Sequence, residues 1–208
     1  LGYRFSPEFR IVGGLRYSHD RKSGGVVGRS VETGDKFNPA DPIASTPLSS
    51  IYPEGGGYLA SYKDSWSEMT PQITAEFKPN RNVLLYATYS TGYKGGGFED
   101  DPANPAAAQS SYDPETVNSW ELGAKLDLLN RRLRLNMAAF AMRYKNLQVT
   151  QTSAVCLCNI TDNAADAKIK GFELEATAAV ARGFSVYGGL TLLDTKYIKF
   201  TDSVGNVN

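Results

Sequence analysis

The feature that most constrains this chain is a two-residue alternation of apolar and polar side chains that keeps its phase for about 11 to 14 residues at a time. Strands of globular domains cluster near about 5 to 6 residues, whereas a strand that crosses a bilayer needs about 9 to 11. The first run sets Phe9, Ile11, Gly13, Leu15 and Tyr17 against Arg10, Val12, Gly14, Arg16 and Ser18. Later runs set Met69, Pro71, Ile73, Ala75 and Phe77 against Glu68, Thr70, Gln72, Thr74 and Glu76, then Val83, Leu85, Ala87, Tyr89 and Tyr93 against Tyr86, Thr88, Ser90 and Lys94. The pattern continues with Trp120 to Leu128 opposite Glu121, Lys125 and Asp127, with Leu133 to Ala141 opposite Arg134, Asn136 and Phe140, and with Phe172 to Ala178 opposite Glu173 and Glu175. A last run from Phe184 to Tyr197 alternates least cleanly, so its register stays open, and residues 1–5 form a possible stub.

The connections alternate in length. They are short around Ser6-Pro7, 79–82, 129–132 and 181–183, and long over 21–64, 95–114 and 146–167, which are rich in Gly, Pro, Ser, Asn and Asp. Compact soluble domains seldom hold several loops beyond about 12 to 15 residues. A soluble β-sandwich has no reason to gather them all at one end, whereas a membrane barrel has short turns on one side and long loops on the other. The expected fold is all-β, an antiparallel transmembrane up-and-down β-barrel segment of about seven to eight strands from a larger barrel. A soluble β-sandwich binding module and a passive porin are the alternatives. Charges along the polar faces favour a wet lumen over a packed core.

Composition narrows the partners. The 22 basic residues balance the 22 acidic ones, so no nucleic-acid partner is expected. No run approaches the roughly 20 apolar residues of a membrane helix. No catalytic residue and no enzyme activity are expected, because the single histidine, His19, sits beside Asp20 without a nucleophile placed by any motif. No cofactor or metal is expected either. Cys156-Leu157-Cys158 fits a disulfide within or between outer loops better than a metal site, although a bridge closed over one residue is tight. Gly95-Gly96-Gly97 has no following Gly-Lys-Ser/Thr and reads as a flexible loop, and Pro71 suggests a bulge or a strand start.

Several phrases together resemble one family. They are Gly14-Leu15-Arg16-Tyr17-Ser18, Phe77-Lys78-Pro79 leading to Leu85-Tyr86-Ala87-Thr88-Tyr89-Ser90-Thr91-Gly92-Tyr93-Lys94, and Trp120-Glu121-Leu122-Gly123-Ala124-Lys125. To these add Leu133 through Val149, and Asn163-Ala164-Ala165-Asp166-Ala167 leading to Lys170-Gly171-Phe172-Glu173-Leu174-Glu175. In this order they resemble the C-terminal half of the barrel of TonB-dependent outer-membrane receptors. The resemblance implies a bacterial outer-membrane location, with lipid around the barrel, and active uptake of a scarce nutrient such as a ferric siderophore. It also implies TonB as partner through a lumen plug. Plug and final strands are not recognised in residues 1–208, which are therefore expected to be a partial barrel domain. Outer-loop contacts to a small-molecule metal chelate are expected from Tyr58, Tyr93, Phe98 and Tyr112. Arg10, Arg16, Glu121, Lys125, Glu173 and Glu175 are expected to face the lumen.

Overall fold

The computed structural model describes residues 1–29, 57–99, 105–152 and 159–201. Eight strands form one antiparallel sheet: β1 (Gly2–Arg4), β2 (Phe9–Arg29), β3 (Gly57–Asn80), β4 (Val83–Lys94), β7 (Glu115–Leu128), β8 (Leu133–Thr152), β9 (Asn159–Ala181) and β10 (Phe184–Phe200). Each pairs with its neighbour along the chain, so the topology is up-and-down. Between β4 and β7 lie β5 (Gly97–Phe98), the short helix α1 (Pro105–Gln109) and β6 (Ser111–Tyr112); β5 and β6 pair in a separate ladder. The expected stub is thus a true strand.

Register turns the alternation of each strand into rows across the sheet. Phe9, Phe77, Leu85, Ala124, Met137, Leu174 and Leu190 face one another in sequence across seven strands. The next row on that face is Ile11, Ala75, Ala87, Leu122, Ala139, Phe172 and Leu192. The opposite face carries Arg10, Glu76, Tyr86, Gly123, Ala138, Glu173 and Thr191 in one row. Among the described residues nothing covers the apolar face: Leu15, Met69, Trp120, Leu122 and Leu192 are all more than half exposed, and Ile73 is half exposed. An uncovered apolar surface of this extent is what lipid, rather than water, would solvate. No described helix is long and apolar enough to cross a membrane, which says nothing of a β-barrel.

The open question at β10 is settled by its neighbour. Leu190 pairs with Leu174 and Leu192 with Phe172, which puts both on the apolar face and turns Thr191 and Leu193 to the polar one. Pro71 is neither a bulge nor a strand start: it pairs with Leu15 in unbroken register inside β3. The β3–β4 ladder stops next to it, at Gln72 opposite Ser90. The Pro71 carbonyl accepts from Thr91 Oγ1 at 3.4 Å, so it faces β4. In an antiparallel strand the N–H of a residue points the same way as its C=O, so the donor that proline lacks falls where no ladder partner waits.

The long connections are shorter than the sequence suggests. Residues 21–29 and 57–65 continue β2 and β3 as a paired ladder, and β8 and β9 pair as far as Thr152 opposite Asn159. These extensions lose the apolar/polar alternation because neither face meets hydrocarbon, and periodicity alone cannot see them. Cys156 and Cys158 lie outside the described residues.

The other end is held by tight turns. Leu129, Asn130 and Arg131 all take positive φ (53°, 55° and 67°), and Gly183 supplies φ 75° between β9 and β10. The Arg132 guanidinium donates to the carbonyls of Ala179 and Val180 at 3.2 and 2.9 Å, tying the first turn to the end of β9.

On the polar face two aromatic rings lie over glycines directly across the ladder. A Cβ at Gly123 would collide with the Tyr86 ring, and one at Gly171 with the Phe140 ring. The glycine lets each ring lie flat on the sheet. Gly123→Ala should lower the stability of the folded barrel by about 1–3 kcal/mol, the usual cost of overpacking. Gly13→Ala, where a Cβ meets nothing within 4 Å, should be near neutral. Urea unfolding of the two variants in lipid vesicles compares them; equal midpoints would refute the packing argument.

Candidate functional site

The polar face is a wall of paired groups. Tyr86 donates its hydroxyl to Glu121 at 2.7 Å, Thr74 and Thr88 share a bond of 3.0 Å, and Asn136 Nδ2 donates to Glu175 at 3.3 Å. Arg10 lies 3.8 Å from Glu76, and Arg134 Nε donates to Asp127 at 2.8 Å. Lys125 lines a depression with Tyr86, Glu121, Asn136, Glu173 and Glu175. Five of the six residues expected to face the lumen, Arg10, Glu121, Lys125, Glu173 and Glu175, thus share this wall. Arg16 shares the face but belongs higher, in a cleft with Ser18, Asp20, Tyr93 and Gly95.

Above the point where β3 and β4 part, the β4–β7 connection folds over the polar face of β3. Continuous register from Glu76 puts Trp66, Asp64 and Tyr62 on that face. The Phe98 ring sits 4.3 Å from that of Tyr62 and 6.1 Å from that of Trp66. Ser111 Oγ donates to Asp64 Oδ2 at 2.6 Å, which with the Ser65 backbone N–H holds the Asp64 carboxyl below its usual range. The other side of the connection is fastened to β8 and β9. Gln148 Nε2 donates to the carbonyls of Gly95 and Asp113 at 3.0 Å each, and Asn163 Nδ2 donates to those of Asp113 and Asn146 at 2.9 and 2.8 Å. The backbone N–H of Thr161 donates to Glu99.

This placement corrects the reading of Gly95 to Gly97 as a flexible loop. All three are packed: a Cβ at Gly95 would come within 2.9 Å of Asp20, one at Gly96 would strike the Tyr112 carbonyl and Trp66, and one at Gly97 the Tyr112 ring. Glycine is required there for close approach rather than for freedom. Of the four expected outer contacts, Phe98, Tyr112 and Tyr93 come together at this hairpin. Phe98 is buried, so it anchors the hairpin. Tyr58 pairs by its backbone with Gly28 near the outer end of the ladder, and its side chain lies outside the described residues. Tyr62, Asp64 and Trp66 were not anticipated; carrying the alternation upward from Glu68 by even numbers would have found them.

The Tyr93 hydroxyl is buried beside the Asp20 carboxylate. Burial first, then hydrogen bonding to Asp20 and the charges of Asp20 and Glu68, push its pKa up to about 12, so it remains a proton donor at neutral pH. It borders the cleft of about 310 Å³ that Arg16 and Asp20 share. A second, more apolar cleft of about 460 Å³ lies toward β10, lined by Tyr144, Leu147, Ala167, Ile169, Thr195 and Tyr197 together with Lys168 and Lys196. The first cleft and the hairpin beside it form a vestibule with aromatic, hydroxyl and carboxylate groups; the second cleft shares no residue with it. His19 stays at the surface, its Nδ1 2.8 Å from Ser67 Oγ.

The family described as TonB dependent receptor-like, beta-barrel matches residues 1–207. The chain belongs to this family. The probable TonB-dependent siderophore receptor PiuA of Acinetobacter baumannii is 26% identical to it over 169 residues, 79% of this chain and 21% of that protein. The metal-pseudopaline receptor CntO of Pseudomonas aeruginosa is 28% identical over 130 residues, 62% of this chain and 17% of the relative. The ferric yersiniabactin uptake receptor FyuA from Yersinia pestis superposes with TM-score 0.73 over 94% of this chain and 26% of its own, at 21% identity, which establishes the shared fold. The chain spans about a fifth of the length of the curated relatives it matches.

TonB-dependent receptor barrels are outer-membrane proteins of Gram-negative bacteria, and receptors rather than enzymes. In barrels of this architecture the apolar face meets lipid, the polar face meets the lumen, and the short turns lie on the periplasmic side. Two substitutions separate packing from contact. Gly96→Ala should loosen the hairpin and raise proteolytic nicking between β4 and β7 several-fold. Tyr93→Phe should change the unfolding midpoint little, because among the described residues the hydroxyl it removes makes no well-formed hydrogen bond and only lies beside Asp20. A large destabilisation by Tyr93→Phe would show that the hydroxyl is bonded after all.

Proposed function

We propose that this sheet is one section of an outer-membrane receptor that takes up a scarce metal chelate, such as a ferric siderophore, with energy supplied through TonB. The vestibule carries this reading. It is a cleft at the outer end of the sheet lined by Arg16, Ser18, Asp20, Tyr93 and Gly95, beside the hairpin whose Phe98 packs on Tyr62 and Trp66 and whose Ser111 bonds Asp64. Two relatives whose names specify a siderophore or a metal-pseudopaline complex support the same ligand class.

In this reading Tyr93, Tyr112 and, at the tip of the ladder, Tyr58 contact the chelate, and Phe98 holds the hairpin that presents them. Arg10, Glu121, Lys125, Glu173 and Glu175 line the path or meet the lumen plug. The strands at either side of this sheet need partners, because an unpaired strand edge cannot be satisfied in hydrocarbon. The remaining strands and the plug through which TonB acts would come from other parts of the receptor.

Uptake of radiolabelled iron from a panel of ferric siderophores, in an iron-starved host carrying only this receptor, tests the proposal. Uptake of at least one chelate should require both the receptor and TonB, and Tyr93→Phe should weaken binding several-fold. Accumulation that persists without TonB would favour a passive porin and end the proposal.

A further inference from the structure

The connection between β4 and β7 is packed as a protein interior is, which the rest of the sheet is not. The buried hydrophobic residues among those described are Ala60, Phe98, Ala108, Ala164, Ala165 and Ala167. Phe98 and Ala108 belong to the connection, Ala60 to β3 and the other three alanines to β9, the two strands to which it is fastened. A segment that opens readily has few buried apolar contacts and exposed backbone hydrogen bonds. This one has neither property: its helix α1 lies against β3, and its backbone is gripped from β8 and β9.

Gln148 and Asn163 supply the grip. They stand opposite each other in the β8–β9 ladder, just past the register shifts between Tyr144 and Gln148. Within that stretch Asn146 takes φ 53°, a left-handed conformation that asparagine tolerates better than most residues. Asn163 treats Asp113 as a neighbouring strand would. Its Oδ1 accepts from the Asp113 N–H at 2.6 Å, and its Nδ2 donates to the Asp113 carbonyl at 2.9 Å and to the Asn146 carbonyl at 2.8 Å. Gln148 Nε2 bridges the two ends of the connection, donating to the carbonyls of Gly95 and Asp113, while its backbone N–H donates to Glu115 at 3.1 Å. The two amides therefore close the connection at its base.

We propose that Gln148 and Asn163 are positioning residues that make this connection a fixed sill of the vestibule, seated before a chelate arrives, rather than a lid that closes on it. The inference rests on the reading of the vestibule as a chelate site. Asp113 follows Tyr112 directly and Gly95 lies two residues past Tyr93, so the amides that hold Asp113 and Gly95 set where both tyrosines stand without touching the chelate. Ordering a loop on binding costs affinity, and a loop already held in place avoids that cost. Loosening the sill should therefore weaken binding and leave the transport step unchanged. An amide is needed at both positions, because each must donate to a carbonyl, and a carboxylate of the same shape can only accept.

Hydrogen–deuterium exchange of the intact receptor in detergent micelles, read by mass spectrometry, is the test. It is run without chelate, then with one catecholate and one hydroxamate ferric chelate. The amides of Gly97, Phe98 and Ser111 to Asp113 should already be protected about a hundredfold over free peptide without chelate, and should change less than about threefold with either one. Asn163→Asp and Gln148→Glu should each lose about tenfold of that protection while the β7–β8 ladder keeps its own. Heat-modifiable migration on a gel checks that each variant is folded. In uptake assays both variants should need about fivefold more chelate for half-maximal uptake, at an unchanged maximal rate. Exchange needs no transported ligand, so it decides the sill even if no chelate is taken up, an outcome that removes only the uptake reading. If both variants misfold, the exchange of the unaltered receptor carries the test. Protection that appears only on adding chelate, full protection in a folded variant, or lost protection with an unchanged half-maximal concentration would each overturn the proposal.

Discussion

Hydrocarbon offers backbone amides no alternative partner, and the rest of this structure depends on that constraint. Each strand must pair along its full membrane span, and the pairing must keep charged side chains off the lipid face. A slip of one residue would exchange the faces of a strand, moving groups such as Arg10, Lys125 and Arg134 toward lipid. A basic residue at the bilayer midplane costs about 2–4 kcal/mol, so even one slipped strand is heavily disfavoured. That penalty gives rows such as Phe9 to Leu190 their continuity over seven strands. It also fixes which tyrosines and carboxylates reach the lumen.

The same constraint explains what could be read from the sequence. Within the lipid span the alternation is enforced residue by residue, so the membership of both faces was legible from Phe9 through Ala178. At β10 it was not, because Leu193 and Tyr187 are apolar or aromatic residues on the lumen side and blur the pattern; only pairing with Phe172 and Leu174 resolves it. Outside the span the penalty vanishes. Arg21 to Arg29 and Gly57 to Ser65 form a ladder without a hydrophobic face, and their glycines and serines look like loop.

The vestibule was half legible for a related reason. Tyr93, Phe98 and Tyr112 stood out as aromatic residues near strand exits, but their supports did not. Trp66 and Asp64 seemed to belong to a loop, and Gly95 to Gly97 carried the composition of one. Composition cannot distinguish a glycine that gives freedom from one that makes room. The distinction lies in what surrounds it, here the Trp66 indole, the Tyr112 ring and Asp20. Gln148 and Asn163, whose amides fasten the connection to β8 and β9, are likewise ordinary polar residues until register brings them to the same carbonyls.

Along β8, β9 and β10 the polarity of the two faces inverts with height. In the lower part Met137, Leu174 and Leu190 share one face while Asn136, Glu173 and Glu175 share the other; near the rim the register puts Arg143, Lys168 and Lys196 on the first face and Tyr144, Ile169 and Tyr197 on the second. A soluble sheet with one packed face has no cause to exchange its apolar side along a single strand without a bulge. The ladders show none between Leu133 and Tyr144 in β8, or between Ser185 and Tyr197 in β10. The inversion follows if the outward surface leaves the apolar band of the barrel just where the inward surface leaves its polar wall. Two surroundings meet two faces at one height, and because adjacent residues point to opposite sides, each face answers to its own.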